Sequence, residues 1–335
     1  MRVAIVYTGI TSYMTDCWRK LAQRQDVELR IWIEDTKTYR FKGNRSRALR
    51  DLCCKWEYSE NLTDDKLADF EDEIVSFSPD IVFVCGWSQK LPPYIASSKR
   101  LARIPMVLEM DMPWEWRFRK FAAKFLLRRR LRRFSAVFVP GKSSARYARW
   151  LGFSKDRIYK GRNCIDVAKF ANTDSFCREQ RNGFLFVGRR SNEKGLDVLK
   201  GAYKEYRRLG GTWKLDIPDY IEPEDMPKVM NEHSCLIVPS KWEPWGIVVL
   251  EAIAAGMKVV VSNRVGSRYD LPVNHIFKSG DVNDLSRVML AIERESLSDN
   301  EGSRESGSEN VINGYDVRNW AGRVMRICKD VIGKV

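Results

Sequence analysis

VAIVYTG at 3–9, VELRIWIE at 27–34, DIVFVCG at 80–86, IPMVLEM at 104–110 and SAVFVPG at 135–141 are apolar runs of strand length, with helical periodicity in most intervals between them. Buried runs alternating with amphipathic stretches are what a parallel sheet covered by helices requires. The pattern predicts a doubly wound α/β domain over 1–166. Ligands of such sheets lie beyond the carboxyl ends of the strands. The residues that follow the runs, Gly9, Gly86, Asp111 and Gly141, are therefore the first candidates for a site. At Gly9 a tight turn and close approach to a phosphate explain the glycine equally well.

A second series starts with FLFVGR at 184–189. It continues through a helical pattern near 195–209, WKLDIP at 213–218, SCLIVPS at 234–240, a helix from about Gly246 and KVVVSN at 258–263. It predicts another Rossmann-like domain over 183–312, joined to the first by a polar linker at 167–182. A length of 335 residues, beyond what one hydrophobic core usually serves, agrees with two domains. The polar run ERESLSDNEGSRESGSEN at 293–310 is expected to be a mobile surface loop. An amphipathic helix at about 317–332, within a terminal segment 313–335, is expected to pack back toward the first domain.

No stretch reaches the roughly 18 uninterrupted apolar residues of a membrane-spanning helix. The first strand begins at Met1 and leaves no room for a signal peptide, so a cytoplasmic protein is expected. Eight cysteines, including the adjacent Cys53 and Cys54, show neither CxxC spacing nor the density of a disulfide scaffold. The net charge of +14 is local: nine lysines or arginines and no acidic residue fall between Arg117 and Arg133.

The chemistry concentrates in EPWGIVVLEAIAAG at 243–256. Its helical part is apolar almost all round and is expected to be buried on most sides, with one carboxylate, Glu251, set into it. A buried carboxylate requires a cation, hydrogen-bond donors or ligand hydroxyls. A buried pair with an arginine and a bound ligand both satisfy that need. Pro244 and Gly246 mark the turn from loop to helix, leaving the N–H groups near Gly246, Ile247 and Val248 open as an anion site. Glu243 sits in the loop above the same helix end. Two carboxylates bracketing a helix N-terminus suit hexose and ribose hydroxyls with a diphosphate between them. In VGRRSNEKG at 187–195, Arg189, Arg190 and Lys194 follow a strand and are expected to face the interdomain crevice. There they would neutralise a leaving diphosphate without a metal. A solvated basic loop is the other reading of these three cations.

A strand ending in GR, a KG shortly after, a strand ending in PS and the E-x7-E segment together resemble the donor domain of glycosyltransferase family 4, the group 1 glycosyltransferases of GT-B fold. KGRNCID at 160–166 resembles the family's asparagine-containing strand before the linker, and KSGDVNDLSRVM at 278–289 its late loop and helix. The resemblance implies an α/β GT-B fold, two doubly wound Rossmann-like domains facing a central cleft. It implies a retaining, metal-independent hexosyltransferase whose only co-substrate is a nucleotide-diphosphate sugar, UDP- or GDP-linked, with no cofactor. Arg189 and Lys194 would bind the diphosphate, Glu243 the donor sugar, Glu251 the ribose, and Gly246, Ile247 and Val248 the phosphate and sugar through backbone amides. Gly9, Arg190, Pro244 and Trp245 complete the expected donor site. The acceptor hydroxyl would attack on the face from which the phosphate leaves, and a phosphate oxygen would take its proton. A saccharide or lipid-linked acceptor in lipopolysaccharide, capsule or exopolysaccharide synthesis is expected. A catalytically weakened donor-binding protein and a GT-B epimerase or phosphorylase are the alternatives.

Three departures from the family pattern stand out. Where many members carry a histidine after a strand of the first domain, this chain has VLEMDMPW at 107–114. Asp111 or Glu109 is expected to substitute by contacting substrate hydroxyls, against a plain strand-end turn. His233 and His275 lie elsewhere, and His233 is expected to be structural. The second domain is short between WKLDIP and SCLIVPS, where the family fits another strand and helix that supply part of its nucleotide-base pocket. The family's double glycine is reduced, in RVGSRYD at 264–270, to Gly266.

RFRKFAAKFLLRRRLRRF at 117–134 sets Phe118, Phe121, Phe125 and Leu126 at helical spacing beside Arg117, Arg119, Lys120, Lys124, Arg128, Arg129, Arg130, Arg132 and Arg133. Such basic amphipathic helices lie on anionic membrane surfaces, each cation contributing about 1 kcal/mol near the headgroups. This predicts membrane or anionic-acceptor contact and a peripheral place on the inner face of the cell membrane. A helix packing its phenylalanines on the first sheet, with its charges solvated, fits the same residues. No nucleic-acid reading motif accompanies the charge, so no nucleic-acid partner is expected.

Overall fold

A computed structural model describes residues 1–34, 49, 52, 55–59, 62–87, 89–115, 124–171, 181, 183–298 and 306–333. The chain divides into two compact units, Met1–Ile165 with Val317–Val335, and Asp166–Asp316.

The first unit is built on a parallel sheet of β1 (Arg2–Thr8), β2 (Glu28–Glu34), β3 (Lys55–Ser59), β4 (Ile81–Cys85), β5 (Met106–Glu109), β6 (Ala136–Val139) and β7 (Ile158–Lys160), in the order β3-β2-β1-β4-β5-β6-β7. All six pairings are parallel. The central strands are apolar at consecutive positions because both faces are covered: Val3 through Val6 and Ile81 through Val84 are all buried. Ala4, Val6, Val82 and Val84 share a core with Leu67, Phe70, Ile74 and Phe77 of the Asp64–Phe77 helix. The Ser12–Ala22 helix, which buries Met14, Cys17, Trp18 and Leu21, packs against the C-terminal Val317–Ile332 helix. The latter buries Trp320, Val324, Ile327 and Cys328, four of eight inward positions at helical spacing. β3 and β7 are edge strands whose sequences, KWEYS and IYK, lack the unbroken apolar run that marks their neighbours.

The second unit is a parallel sheet of β8 (Phe184–Leu185), β9 (Leu215–Asp216), β10 (Cys235–Val238), β11 (Lys258–Ser262) and β12 (His275–Phe277), in the order β12-β11-β10-β8-β9. One core layer joins Phe184, Phe186, Ile237 and Val260 to Val198, Leu199, Ala202 and Tyr206 of the Leu196–Arg208 helix. Between β9 and β10 lies the Met226–Asn231 helix, with no further strand among the described residues. The expected linker begins inside this unit: Val167–Phe170 is a short helix whose Val167 N–H donates to Asp316 (3.3 Å) and whose Phe170 is buried. Residues 172–180 of that linker lie outside the described residues.

The expected mobile loop at 293–310 is corrected. The Val282–Ser298 helix runs through its first third, and Ser306–Asn313 forms another helix. Glu293 is the reason the polar run holds together there: its buried carboxylate accepts hydrogen bonds from the Tyr206 hydroxyl (2.5 Å) and the Thr212 N–H (3.0 Å). Those bonds tie the helix end to the turn before β9 and hold the Glu293 carboxyl below its usual range, against the upward push of burial.

Candidate active site

Three loops leave the carboxyl ends of the adjacent strands β8, β10 and β11, and they interlock. Gly195 ends the first loop with φ +68°, and a Cβ there would lie 2.1 Å from the Pro239 carbonyl oxygen. Only glycine lets the two loops close to that distance. The Lys241 N–H donates to the Glu193 carbonyl (2.7 Å) from the other side. The second and third loops join through a one-residue bridge between Glu243 and Val265, a Gly266 N–H to Glu243 carbonyl bond (2.9 Å) and a Ser267 N–H to Trp245 carbonyl bond (3.1 Å).

This frame brings Lys194 and Glu243 into an ion pair, the two side chains only 19% and 13% exposed. Directly beneath Glu243 the Ile247–Ala254 helix starts at Gly246, which takes φ +88° and offers no side-chain cap. The N–H groups of Ile247 and Val248 have no hydrogen-bond partner among the described residues. A helix end with open donors and a positive dipole end attracts an anion. Pro244 and Trp245 complete the turn; Trp245 is buried and its ring packs on Tyr315 with centroids 5.6 Å apart. Its indole N–H has no hydrogen-bond partner among the described residues.

Two expectations for this segment change. The helix is not buried on most sides: Val249, Leu250 and Ala252 are buried, while Ile247, Val248, Ile253 and Ala254 are half-exposed. Glu251 is correspondingly half-buried rather than sealed in the core. Arg189 and Arg190 are largely exposed, and each is paired with a carboxylate, Arg189 with Glu193 (2.9 Å) and Arg190 with Asp219. Of the three cations of VGRRSNEKG, only Lys194 points its charge at the E-x7-E loop.

In the first unit, Gly9 and Gly86 both take φ +75° at the ends of β1 and β4. Their N–H groups donate to the Glu34 and Glu109 carbonyls, each at 2.9 Å, so both glycines serve the turns that leave the sheet. Asp111 is exposed just past β5, and its carbonyl accepts from the Ser144 hydroxyl (3.0 Å). Glu109 cannot take the substrate-contacting role: it is 1% exposed and paired with Arg162 at 3.1 Å. Arg162 is a hub that sequence reasoning missed. It also donates to the Tyr7 hydroxyl (2.7 Å), Asn163 Oδ1 (2.8 Å) and Cys85 Sγ (3.4 Å), so the ends of β1, β4 and β5 all converge on it. Burial works against its charge, but Tyr7, Glu109 and Cys85 outweigh burial and raise its pKa. Glu109 is raised by burial, which the Arg162 charge and hydrogen bond oppose. The available signal was a glutamate closing an otherwise apolar strand, which needs a buried cation elsewhere in the chain.

Of the basic segment, Arg117, Arg119, Lys120, Phe118 and Phe121 lie outside the described residues. The remainder is interrupted rather than one continuous helix: 124–126 is helical, Leu127 turns, and Arg128–Leu131 forms a single turn. Phe125 and Leu126 are 68% and 79% exposed, and Arg128, Arg129, Arg130 and Arg132, which follow in the chain, are exposed too. Two expected contact residues turn inward instead. Lys124 lies over the Trp150 ring (4.9 Å), and Arg133 donates to the Leu101 (2.6 Å) and Ile104 (2.9 Å) carbonyls. His233 is structural as expected, bonding the Val229 carbonyl and Asp216, each at 2.8 Å.

Two Rossmann-like units, each a parallel sheet with its loops at the carboxyl edge, define the GT-B class of glycosyltransferase fold. A family model described as glycosyl transferase 4-like domain matches residues 8–159, and one described as glycosyl transferases group 1 matches residues 209–307; the chain belongs to the group 1 glycosyltransferases of family 4 type. An uncharacterized 41.2 kDa protein in the cps region of Klebsiella pneumoniae is 28% identical over 33% of this chain and 38% of its own length. The chain thus spans less than two fifths of the length of the curated relatives it matches. Among solved structures, a glycosyltransferase from Rickettsia africae superposes with a TM-score of 0.75 at 12% identity, covering 100% of this chain and 99% of that one. HepE from Anabaena, solved in complex with UDP, superposes with a TM-score of 0.69 at 13% identity, covering 97% and 99%.

Proposed function

We propose that this protein transfers a hexose, with retention and without a metal, from a nucleotide-diphosphate sugar to a saccharide or lipid-linked acceptor in cell-surface glycan synthesis. The observation that carries the reading is the Lys194–Glu243 pair held over the open N-terminus of the Ile247–Ala254 helix. An ammonium and a helix end favour the diphosphate, and a carboxylate beside them accepts hydrogen bonds from sugar hydroxyls. In the unliganded pair each group neutralises the other, so donor binding exchanges one partner for a phosphate and the other for hydroxyls. Glu251, half-buried one turn into the helix, is assigned to the ribose, and Asp111 to a hydroxyl of the reacting sugars. As charge builds on the leaving phosphate, Lys194 and the backbone amides stabilise it, and the phosphate oxygen takes the acceptor's proton. The UDP held by the Anabaena neighbour and the cps region of the Klebsiella relative support a nucleotide-sugar donor and a glycan product.

Exposed Phe125 and Leu126, followed in the chain by the exposed Arg128, Arg129, Arg130 and Arg132, extend the reading to a peripheral protein on an anionic bilayer, which brings a lipid-linked acceptor to the enzyme. The test is thermal stabilisation and product formation with UDP- and GDP-sugars. Absence of stabilisation by any of them defeats the proposal. Binding without product across saccharide and lipid-linked acceptors would instead favour a non-catalytic donor-binding protein, the reading to which the histidine-free VLEMDMPW points.

A further inference from the structure

The cations around the three interlocked loops fall into two groups. Arg189, Arg190, Lys194 and Lys241 each face a carboxylate: Glu193, Asp219, Glu243 and Asp197. Arg264 and Arg268, in RVGSRYD, face none among the described residues. Arg268 Nη1 donates to the Val265 carbonyl (2.6 Å), Nη2 bonds the Tyr269 hydroxyl, and the guanidinium lies 3.9 Å from the Tyr269 ring centroid. These contacts orient a positive charge and leave it uncompensated. Burial lowers the Arg268 pKa; Tyr269 opposes that shift and the Arg264 charge adds to it.

The turn carrying this pair is fastened to the donor loop, since the Arg264 carbonyl accepts the Glu243 N–H (3.3 Å) and Gly266 and Ser267 bond Glu243 and Trp245. Ser267 lies between the two arginines in sequence and is 0% exposed, yet its hydroxyl has no hydrogen-bond partner among the described residues. A buried hydroxyl without a partner is uncommon in a folded protein and calls for an account. One short turn against Glu243 thus carries two arginines with no carboxylate partner among the described residues and a buried serine hydroxyl with no hydrogen-bond partner there.

We infer that Arg264, Ser267 and Arg268 form an anion-binding site for the donor substrate, one that recognises its phosphate oxygens or a carboxylate on the sugar it carries. This deepens the proposed function and rests on its nucleotide-sugar reading. The site adds cations on the β11 side of the Glu243 loop, opposite Lys194, where a diphosphate or a uronic acid is held between two basic loops. Guanidinium groups suit either anion, because their paired N–H groups match two oxygens at once.

The experiment measures binding of UMP, UDP, UDP-glucose and UDP-glucuronate, with the corresponding guanosine set, to the full chain and to Arg264→Gln/Arg268→Gln. Arg268→Lys serves as the charge-preserving variant, and melting temperature without ligand shows that each variant folds. Recognition of the diphosphate predicts that the double variant loses about tenfold or more in affinity for UDP, with a smaller loss for UMP. Recognition of a sugar carboxylate predicts that the unaltered protein prefers UDP-glucuronate to UDP-glucose, and that the double variant abolishes that preference while keeping UDP affinity. A folded double variant that binds every probe as the unaltered protein does overturns the inference and leaves the donor reading standing. An unaltered protein that binds no member of either set overturns both.

Discussion

Gly266 passes so close to Pro244 that a Cβ at Gly266 would lie 1.9 Å from the Pro244 carbonyl oxygen. The contact fixes the distance between the β11 loop and the loop that carries Glu243, so a methyl group there must push the two apart. Gly266→Ala is expected to cost about 1–3 kcal/mol of stability, the usual range for overpacking. It should also abolish the thermal shift produced by nucleotide sugars. Gly322, by contrast, lies inside the Val317–Ile332 helix, and a methyl group added there would meet nothing within 4 Å. Gly322→Ala is expected to add about 0.4–1 kcal/mol, by lowering the entropy of the unfolded chain. Denaturant melts of the two variants, moving in opposite directions, check the pair of predictions.

The roles assigned to Lys194 and Glu243 differ in which part of the donor they meet. Lys194→Met should weaken UDP and UDP-glucose alike, by about ten- to a hundredfold, because it removes a charge-assisted bond to phosphate. Glu243→Gln should leave UDP binding nearly unchanged and remove the extra affinity that the glucose moiety provides. Calorimetric titration with the two ligands separates the roles. Equal loss of both ligands in Glu243→Gln would show that the carboxylate acts only by holding Lys194.

The central strands and both sheets were legible because strands buried on two faces have no choice but to be apolar throughout, and VAIVYTG, DIVFVCG and SCLIVPS carry that requirement in plain form. The edge strands KWEYS and IYK were not legible, since one side of an edge tolerates polar residues. The Lys194–Glu243 pair joins two motifs whose types and spacing were visible, although their direct contact depends on Gly195 letting two loops meet. Arg162 was hidden for the opposite reason. Its partners Tyr7, Cys85 and Glu109 are scattered over a hundred residues, and each looks like an ordinary strand residue until the parallel order β1-β4-β5 sets them side by side. The polar run at 293–298 misled because a single buried glutamate, Glu293, satisfied by Tyr206 and Thr212, extends a helix that composition alone reads as loop.

Arg162 and Glu109 give a prediction with a pH signature. Removing one partner of a buried ion pair typically costs about 3–5 kcal/mol, because the other charge is left without compensation. Arg162→Met should therefore be strongly destabilised. Burial already raises the Glu109 pKa above its unfolded value, and losing the Arg162 charge raises it further. A carboxyl raised on folding binds its proton more tightly in the native state, so its favourable contribution is present at low pH and is lost as pH rises through the folded pKa. The deficit of Arg162→Met relative to the unaltered protein should accordingly be smaller at acidic pH than at neutral pH. Adding Glu109→Gln to the variant should remove that pH dependence. Urea melts at several pH values test it, and a deficit independent of pH would show that Glu109 is not the group left uncompensated.

Phe125 and Leu126 are large apolar side chains left in solvent beside Arg128, Arg129, Arg130 and Arg132, and the two kinds of group make separable demands on a membrane. The arginines respond to lipid charge, with an attraction screened beyond about 8 Å at physiological salt. The apolar pair responds to bilayer depth, and its full burial is worth about 1.5–3 kcal/mol for each side chain. Binding to vesicles of phosphatidylcholine with phosphatidylglycerol should therefore exceed binding to phosphatidylcholine alone, and should fall as salt rises. Phe125→Ala/Leu126→Ala should lower partitioning by about tenfold or more while keeping the salt dependence. Arg128→Gln/Arg129→Gln/Arg130→Gln should flatten the salt dependence. Arg133→Gln should instead lower the melting temperature, since Arg133 is spent on the Leu101 and Ile104 carbonyls and not on the surface. Equal binding to neutral and anionic vesicles by the unaltered protein would remove the charge-based membrane assignment, and the exposed pair would then need a protein partner.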